Sequence, residues 1–348
     1  MATLKDIADA VGVSIGTVDR ILHKRGRYSE KTAEKVRKAM EELQYTPNIH
    51  ARGLKKTKQH RFASLIPLEE QDSGYWKLLA DGIRRASAEL GSYGSTVDLI
   101  FFDRYSSDSC SRALQGALDS GVEGLLIAAV RPDDMKRQLQ DAGIPYLFVD
   151  SDIPELTERC SYIGQDSFQS GYLSGKLMHL LLGRGSYPSR VLMIEPPGSN
   201  YHLKQRMAGF RSYMESTAPG VELERMKEDL DEEKSFHSCL ESCLENRRSL
   251  PDGIFVANSS VYYAASYLKK KGEDYSRIPL IGYDLIPGME SYISEGIIDF
   301  ILTQQPELQG YQGMITLYEY LVLNKEVQKE VFVPLNIITR ENLRTFET

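Results

Sequence analysis

Residues 3 to 22, TLKDIADAVGVSIGTVDRIL, constrain this chain more than any other stretch. Thr3 and Asp6 make a Thr-x-x-Asp start, in which a side-chain oxygen satisfies an orphan amide at a helix N-terminus. Leu4, Ile7, Ala8 and Val11 recur at i, i+3, i+4 and i+7, so one apolar stripe lies on a single helical face. Gly12 supplies the left-handed backbone that ends such a helix. Val13 then fills the corner, and Ser14 caps a second helix that turns Val18, Ile21 and Leu22 inward. A third helix from about Ser29 to Leu43 brings Val36, Met40 and Leu43 to a small three-helix core, near the size at which one core is marginally stable. Two short helices around a glycine turn are the shape that places one helix in a DNA major groove. Two ordinary amphipathic helices would show the same periodicity, so charge has to separate the readings.

Residues 1 to 61 hold 14 Lys and Arg against 7 Asp and Glu, while the rest of the chain holds 28 against 42. The overall net charge of −7 therefore hides a basic head on an acidic body. That asymmetry is expected when only one end meets phosphates, and it favours nucleic-acid binding by the head.

TLKDIADAVGVSIGTVDRILH, followed by RYSEKTAEKVRKAMEELQYTPN and ARGLKK, resembles the DNA-binding headpiece and hinge of the lactose/galactose-repressor (LacI/GalR) family over residues 3 to 56. The resemblance implies that Ser14, Ile15, Gly16, Thr17 and Arg20 form the groove-facing side of the recognition helix. A guanidinium pairs bidentately with guanine O6 and N7, which makes Arg20 the base-reading candidate, and it leaves Ser14 and Thr17 to hold phosphates. Ile15 and Gly16 stand where many relatives carry larger or polar readers, so apolar contact with a thymine methyl is the expectation there. Asp19 replaces the family's usual serine. It either accepts from cytosine N4 or orients Arg20, and the sequence leaves both open. Pro47 and Asn48 before IHARGLKK resemble the family's hinge helix, with Asn48 as its cap and Ala51, Leu54 and Lys55 facing DNA. Leu54 falls where the family carries a leucine that wedges into the minor groove; a lone linker hydrophobe is the alternative. Gly53 disfavours helix by about 1 kcal/mol relative to alanine, so this hinge is expected to order only on DNA beside a partner chain. Lys55, Lys56, Lys58 and Arg61 suit contacts to the DNA backbone.

The roughly 290 residues that follow exceed what one compact core usually holds, which favours two lobes. FASLIPL (62 to 68), TVDLIFF (96 to 102), GLLIAAV (124 to 130) and PYLFVD (145 to 150) read as strands, alternating with helical stretches near 75 to 91, 107 to 120 and 132 to 143. A second series runs through RVLMIEP (190 to 196), GIFVAN (253 to 258) and PLIGYD (279 to 284). Continuous apolar strands spaced by amphipathic helices predict parallel sheets covered on both faces. The expected fold is thus α/β: an all-α helix-turn-helix headpiece and two doubly wound lobes, with ligands bound at the carboxyl ends of the strands. The expected boundaries are 1–46 for the headpiece, 47–60 for hinge and linker, and 61–348 for an effector-binding and dimerisation domain. Within it the N-lobe takes about 61–164 with 302–326, and the C-lobe 165–301 with 327–348.

This second part resembles, more loosely, the effector domain of the same family and the periplasmic sugar-binding proteins. The resemblance places Tyr75 and Trp76 of YWKLLADGI at the crevice mouth, where rings pack on the C–H faces of sugars; packing in the core is an equal alternative for one of them. Asp166 of YIGQDSFQSG falls at the first crossing between lobes, as a ligand group or as the cap of the helix beginning near Ser167. Arg206 of KQRMAGF matches an arginine that grips ligand hydroxyls, and its fork of donors suits paired oxygens. Asn258 of FVANSS and Asp284 of IGYDLIP end strands at the crevice, and Gln304 of TQQPELQG lies at the last crossing. Each has an ordinary loop role as its alternative. Relatives usually carry aspartate after that asparagine; here Ser259 stands there, which puts the local capping pattern in doubt. With Asp166 and Asp284 present, a neutral sugar or polyol is the expected effector rather than a strong anion, and a sugar phosphate stays open should a second basic residue join Arg206.

A ligand closing two lobes is felt at paired hinge helices only if two chains meet, so a homodimer on a pseudo-palindromic operator is expected. The four cysteines at 110, 160, 239 and 243 give no disulfide framework, and no secretory leader or long apolar span is read. Cytoplasm is the expected location, without membrane association. His237, Cys239 and Cys243 lack a fourth ligand of convincing spacing, so no metal is expected, and no cofactor. An enzyme on the same architecture, such as a sugar kinase or dehydrogenase, would need a phosphate-cradling loop after the first strand, which FASLIPLEEQDSG does not provide. A secreted solute-binding protein would need a leader where the basic head stands. The expected function is a sequence-specific transcriptional regulator, a repressor switched by its effector, and not an enzyme.

Overall fold

The computed structural model describes residues 4–22, 29–42, 59–183, 189–195, 200–227, 233–245 and 249–346. The chain divides into two compact units, Met1–Lys58 and Gln59–Thr348.

In the first unit, helices α1 (Leu4–Val11), α2 (Ile15–Leu22) and α3 (Glu30–Glu42) follow the sequence pattern. Gly12 has φ +72°, and its amide and that of Val13 both donate to the Ala8 carbonyl, closing α1. Ser14 Oγ accepts from the Thr17 amide at 3.2 Å, and Ser29 Oγ accepts from the Thr32 amide at 3.1 Å, so each serine caps the helix it precedes. Ile7, Ala8, Val18, Ile21, Ala33, Val36 and Ala39 form the buried core, with Val11 and Val13 packed against it. The side chains of Leu4, Ile15, Arg20, Leu22 and Met40 lie outside the described residues, as do Thr3, Leu43, Asn48, Ala51, Leu54 and Lys55 entirely.

The second unit opens with β1 (His60–Pro67), α4 (Tyr75–Gly91), β2 (Ser95–Phe102), α5 (Ser107–Asp119), β3 (Gly124–Ile127), α6 (Pro132–Gln140), β4 (Tyr146–Val149) and β5 (Tyr162–Gly164). Next come α7 (Ser167–Leu182), β6 (Ser189–Glu195), α8 (Tyr201–Thr217), β7 (Val221–Lys227), α9 (Glu233–Glu245), β8 (Gly253–Val256), α10 (Val261–Lys271) and α11 (Glu273–Ser276). The unit ends with β9 (Leu280–Tyr283), α12 (Glu290–Ser294), β10 (Phe300–Thr303), α13 (Pro306–Leu321), β11 (Glu330–Phe332) and β12 (Asn336–Ile338). Among the described residues the strands form two six-stranded sheets, ordered β2-β1-β3-β4-β5-β11 and β7-β6-β8-β9-β10-β12. Every pairing is parallel except β10 with β12. Strands β3, β4, β8 and β9 are buried along their whole length, as a sheet covered on both faces requires.

The two sheets repeat one plan, in which the chain reverses direction across the sheet between the first and third strands of each lobe. Two helices then trade places. Helix α7 leaves β5 of the N-lobe but packs along α8 of the C-lobe, while α13 leaves β10 of the C-lobe and packs along α4 of the N-lobe. Glycine makes the first contact possible, because a β-carbon on Gly171 would lie 2.0 Å from the Arg206 carbonyl oxygen.

The third crossing differs from the expected lobe boundaries. Glu330–Phe332 pair with Tyr162–Gly164 in the N-lobe sheet, so the chain from 327 to 332 does not belong to the C-lobe, to which it returns at β12. Three residues pairing at a sheet edge carry too little hydrophobic pattern to announce which sheet they join. Likewise Phe300–Thr303 belong to the C-lobe, which moves the second crossing to Gln304 and Gln305.

Candidate functional site

A crevice lies between the lobes at the carboxyl ends of the strands. From the N-lobe, Asp72, Tyr75 and Trp76 line it after β1, Arg104 after β2 and Asp150 after β4. From the C-lobe, α8 contributes His202, Leu203 and Arg206, while Asn258 and Ser259 follow β8, Asp284 follows β9 and Gln304 follows β10. The mouth is shut. Ser73 Oγ donates to the Tyr263 hydroxyl at 3.1 Å, and Ser259 Oγ donates to the Asp72 carbonyl at 3.3 Å, each bond joining the two lobes. The space left within it is about 20 Å³, room for about one water.

Asp150 and Asp284 occupy equivalent places, one residue past β4 and β9, at φ +67° and +65°. Aspartate is among the few non-glycine residues that enter this region readily, and strain of this kind concentrates at functional sites. Both are buried. Asp150 Oδ1 accepts from the Tyr75 hydroxyl at 2.6 Å, and its amide donates to Gln309 Oε1 at 3.0 Å. Asp284 Oδ2 accepts from Gln304 Nε2 at 2.7 Å, and Oδ1 accepts from the Gln304 amide at 3.1 Å. Gln309 Nε2 then donates to the Gln304 carbonyl at 2.7 Å, tying the α13 crossing to both aspartates. Burial pushes the Asp284 carboxyl up to about 6, outweighing the pull of Arg206 and the bonds from Gln304. It raises Asp150 in the same direction, against the Tyr75 bond and the arginines 206 and 104.

Arg206 is wholly buried. Its Nη1 donates to the Ala257 carbonyl at 2.9 Å and Nη2 to Gln165 Oε1 at 3.3 Å, and the guanidinium lies 4.0 Å from the Tyr283 ring centre. Ser170 and Ser174 hold the Tyr283 hydroxyl from α7 at 3.1 and 3.2 Å. The arginine is thus fixed by three elements before anything enters the crevice. His202, four residues earlier on the same helix, is held neutral, its pKa driven well below the usual histidine range by burial and then by Arg206 and Arg104.

Three buried polar atoms on the crevice wall have no partner: Arg206 Nε, Gln304 Oε1 and His202 Nδ1. The first only donates, the second only accepts, and the third does either by tautomer. Unpaired buried groups of this sort are costly, and one hydroxyl-bearing ligand would satisfy both signs.

Of the positions read from sequence, Tyr75, Trp76, Arg206, Asn258, Asp284 and Gln304 converge on this wall. Trp76 Nε1 donates to Asp72 Oδ2 at 2.7 Å, and its ring meets Tyr75 edge-on at 5.0 Å. Asp166 does not join them. It caps α7, its Oδ1 accepting from the Gln169 amide at 3.0 Å, and it lies outside the crevice lining. Its place is taken by Asp150, which ends PYLFVD as Asp284 ends PLIGYD; comparing the two strand series would have exposed it. Asp72 and Arg104 form an ion pair at the mouth that no sequence pattern announced. Ser259, the departure after Asn258, bridges the lobes; Asn258 Oδ1 accepts from the Ser260 amide at 3.1 Å in the turn ahead of α10, which begins without a side-chain cap.

A helix-turn-helix unit joined to a two-lobed α/β domain with a polar crevice defines a DNA-binding protein governed by a small molecule. Residues 3–48 match the family described as bacterial regulatory proteins, lacI family, and residues 63–326 match the periplasmic binding protein domain. The chain is 31% identical over 273 residues to the HTH-type transcriptional regulator DegA of Bacillus subtilis (strain 168), spanning 76% of this chain and 75% of that protein. It is 23% identical to the ribose operon repressor of Lactococcus lactis subsp. lactis (strain IL1403), spanning 99% and 98%. A crystal structure from Bacteroides fragilis described as a LacI transcriptional regulator superposes with a TM-score of 0.75 at 28% identity, over 83% of this chain and 99% of the other. The chain belongs to the lacI family of bacterial regulatory proteins, and it is a DNA-binding transcriptional regulator.

Proposed function

We propose that this regulator represses transcription by gripping a pseudo-palindromic double-stranded DNA operator as a cytoplasmic homodimer, and that a sugar or polyol bound between its lobes sets the strength of that grip. The observation that carries the effector half is the set of unpaired atoms on Arg206, Gln304 and His202 around two buried aspartates. Donors and acceptors in one enclosed space suit hydroxyls, whereas an anion would face Asp72, Asp150 and Asp284. The effector residues are Tyr75, Trp76, Arg206, Asn258, Asp284 and Gln304, joined by Asp150. For DNA, the exposed Ser14 and Gly16 at the start of α2 fit a groove-facing role, with Ile15, Thr17 and Arg20 on the same short helix and Asn48, Ala51, Leu54 and Lys55 in the hinge. The corresponding division is 1–46, 47–60 and 61–348. An effector moves operator affinity only by its differential affinity for the two closure states.

Among the described residues, no helix is long and apolar enough to cross a membrane. Binding rather than catalysis is the proposed activity. The test is to select operators from random duplex DNA at low salt, then titrate sugars and polyols while following both the melting temperature and operator binding. A compound that raises the melting point and shifts operator affinity supports the proposal. Failure to select any duplex, or melting shifts without a change in DNA binding, overturns it.

A further inference from the structure

His202 comes from α8 of the C-lobe and Asp150 from the end of β4 in the N-lobe. Both are buried, with His202 6% exposed and Asp150 2%. His202 Nδ1 stands 3.9 Å from Asp150 Oδ2, too far for a direct hydrogen bond, and it has no other partner. The other carboxylate oxygen is already taken by the Tyr75 hydroxyl at 2.6 Å, which leaves Oδ2 as the oxygen nearer the imidazole. An uncharged ring gains little from closing the gap as an ion pair. An oxygen set to one side of the line joining them would lie about 2.8 Å from each atom, an ordinary hydrogen-bond length.

We propose that His202 Nδ1 and Asp150 Oδ2 share one effector hydroxyl, which accepts from the imidazole N–H and donates to the carboxylate, so that this pair selects for a hydroxyl at one position of the ligand and ties the lobes together through it. A hydroxyl both donates and accepts from a single atom. Hydrogen or an ether at that position leaves the carboxylate without a donor, and an anion places like charges together. The inference rests on the proposed effector reading and adds His202 as a specificity determinant.

The experiment measures binding of aldopentoses and aldohexoses to the full chain by calorimetry. Each sugar is compared with analogues in which one hydroxyl in turn is replaced by hydrogen or by an amine. Wild type should prefer the parent sugar over one monodeoxy analogue by on the order of 10- to 100-fold, the worth of a hydrogen bond to a charged group. His202→Leu should lose that preference at this position alone. His202→Asn, which can set an amide nitrogen near the site of Nδ1, should restore much of it. Melting temperatures of both variants identify any that fails to fold, and His202→Asn then carries the test against wild type. Unchanged discrimination in His202→Leu, or tighter binding of the amine than of the parent, overturns the inference while leaving the effector reading intact. Absence of binding by wild type to every parent sugar overturns the inference, and absence of binding to polyols as well overturns the effector reading.

Discussion

Arg206 shows how much one buried residue decides. Its charge is held by a carbonyl, an amide oxygen and an aromatic face, and in turn it favours the ionised forms of Asp150 and Asp284. Arg206→Ala should abolish any effector response and destabilise the second unit by about 3–5 kcal/mol, because carboxylates would remain buried without their counter-charge. Urea unfolding measures the second effect, and a midpoint equal to wild type would contradict it. Asp284 makes a pH prediction of definite sign. Its folded pKa of about 6 lies above the ordinary aspartate value of about 3.9, so the folded chain holds a proton that the unfolded chain has released. The resulting stability is fully present below about pH 4 and is lost as pH rises to about 6. Asp150, raised by burial as well, acts in the same direction. Asp284→Asn should flatten the slope of stability against pH in that window, and curves parallel to wild type would contradict this origin of the slope.

At the scale of elements, α7 and α8 approach through glycine, and Arg206 sits at that contact. Gly171→Ala would press a methyl onto the Arg206 carbonyl and should cost about 1–3 kcal/mol as overpacking does. It should also weaken effector binding, since the helix carrying Arg206 and His202 must shift; unchanged calorimetric affinity would show that the contact is not coupled to the crevice. The apolar strands were legible because a strand buried on both faces is hydrophobic without a break, and β1, β3, β4, β6, β8 and β9 lie where that pattern predicts, while the half-buried edge strand β2 was legible from its run LIFF. Strand β7 escaped notice because VELERMK mixes charge into a sheet edge, where Glu224 pairs with Arg190 and Arg225 with Glu195. Strands β5, β11 and β12 are three residues each, too short for any period to show. The three helices and their turn were readable in the sequence, because a glycine at positive φ and serine caps are local devices that need no distant partner.

Across the whole effector unit, three crossings and two mouth bonds govern how the lobes meet. Tyr263→Phe removes the acceptor of the Ser73 bond and should shift the closure equilibrium toward the open form by about 0.5–1.5 kcal/mol, or roughly 2- to 10-fold. Small-angle scattering would read this as a larger radius of gyration, and an identical profile would show that the bond does not hold the lobes shut. The family resemblance pointed to half of the crevice wall, while the sequence by itself determined the helix-turn-helix, the charge asymmetry between head and body and the two doubly wound lobes. These follow from periodicity, capping and strand ends, which are written along the chain. Tertiary structure alone decided between the two readings of Asp166, placed β11 in the N-lobe, and left His202 neutral and unpaired. Desolvation and unmet hydrogen bonds depend on atoms brought from distant segments, so no local pattern could carry them.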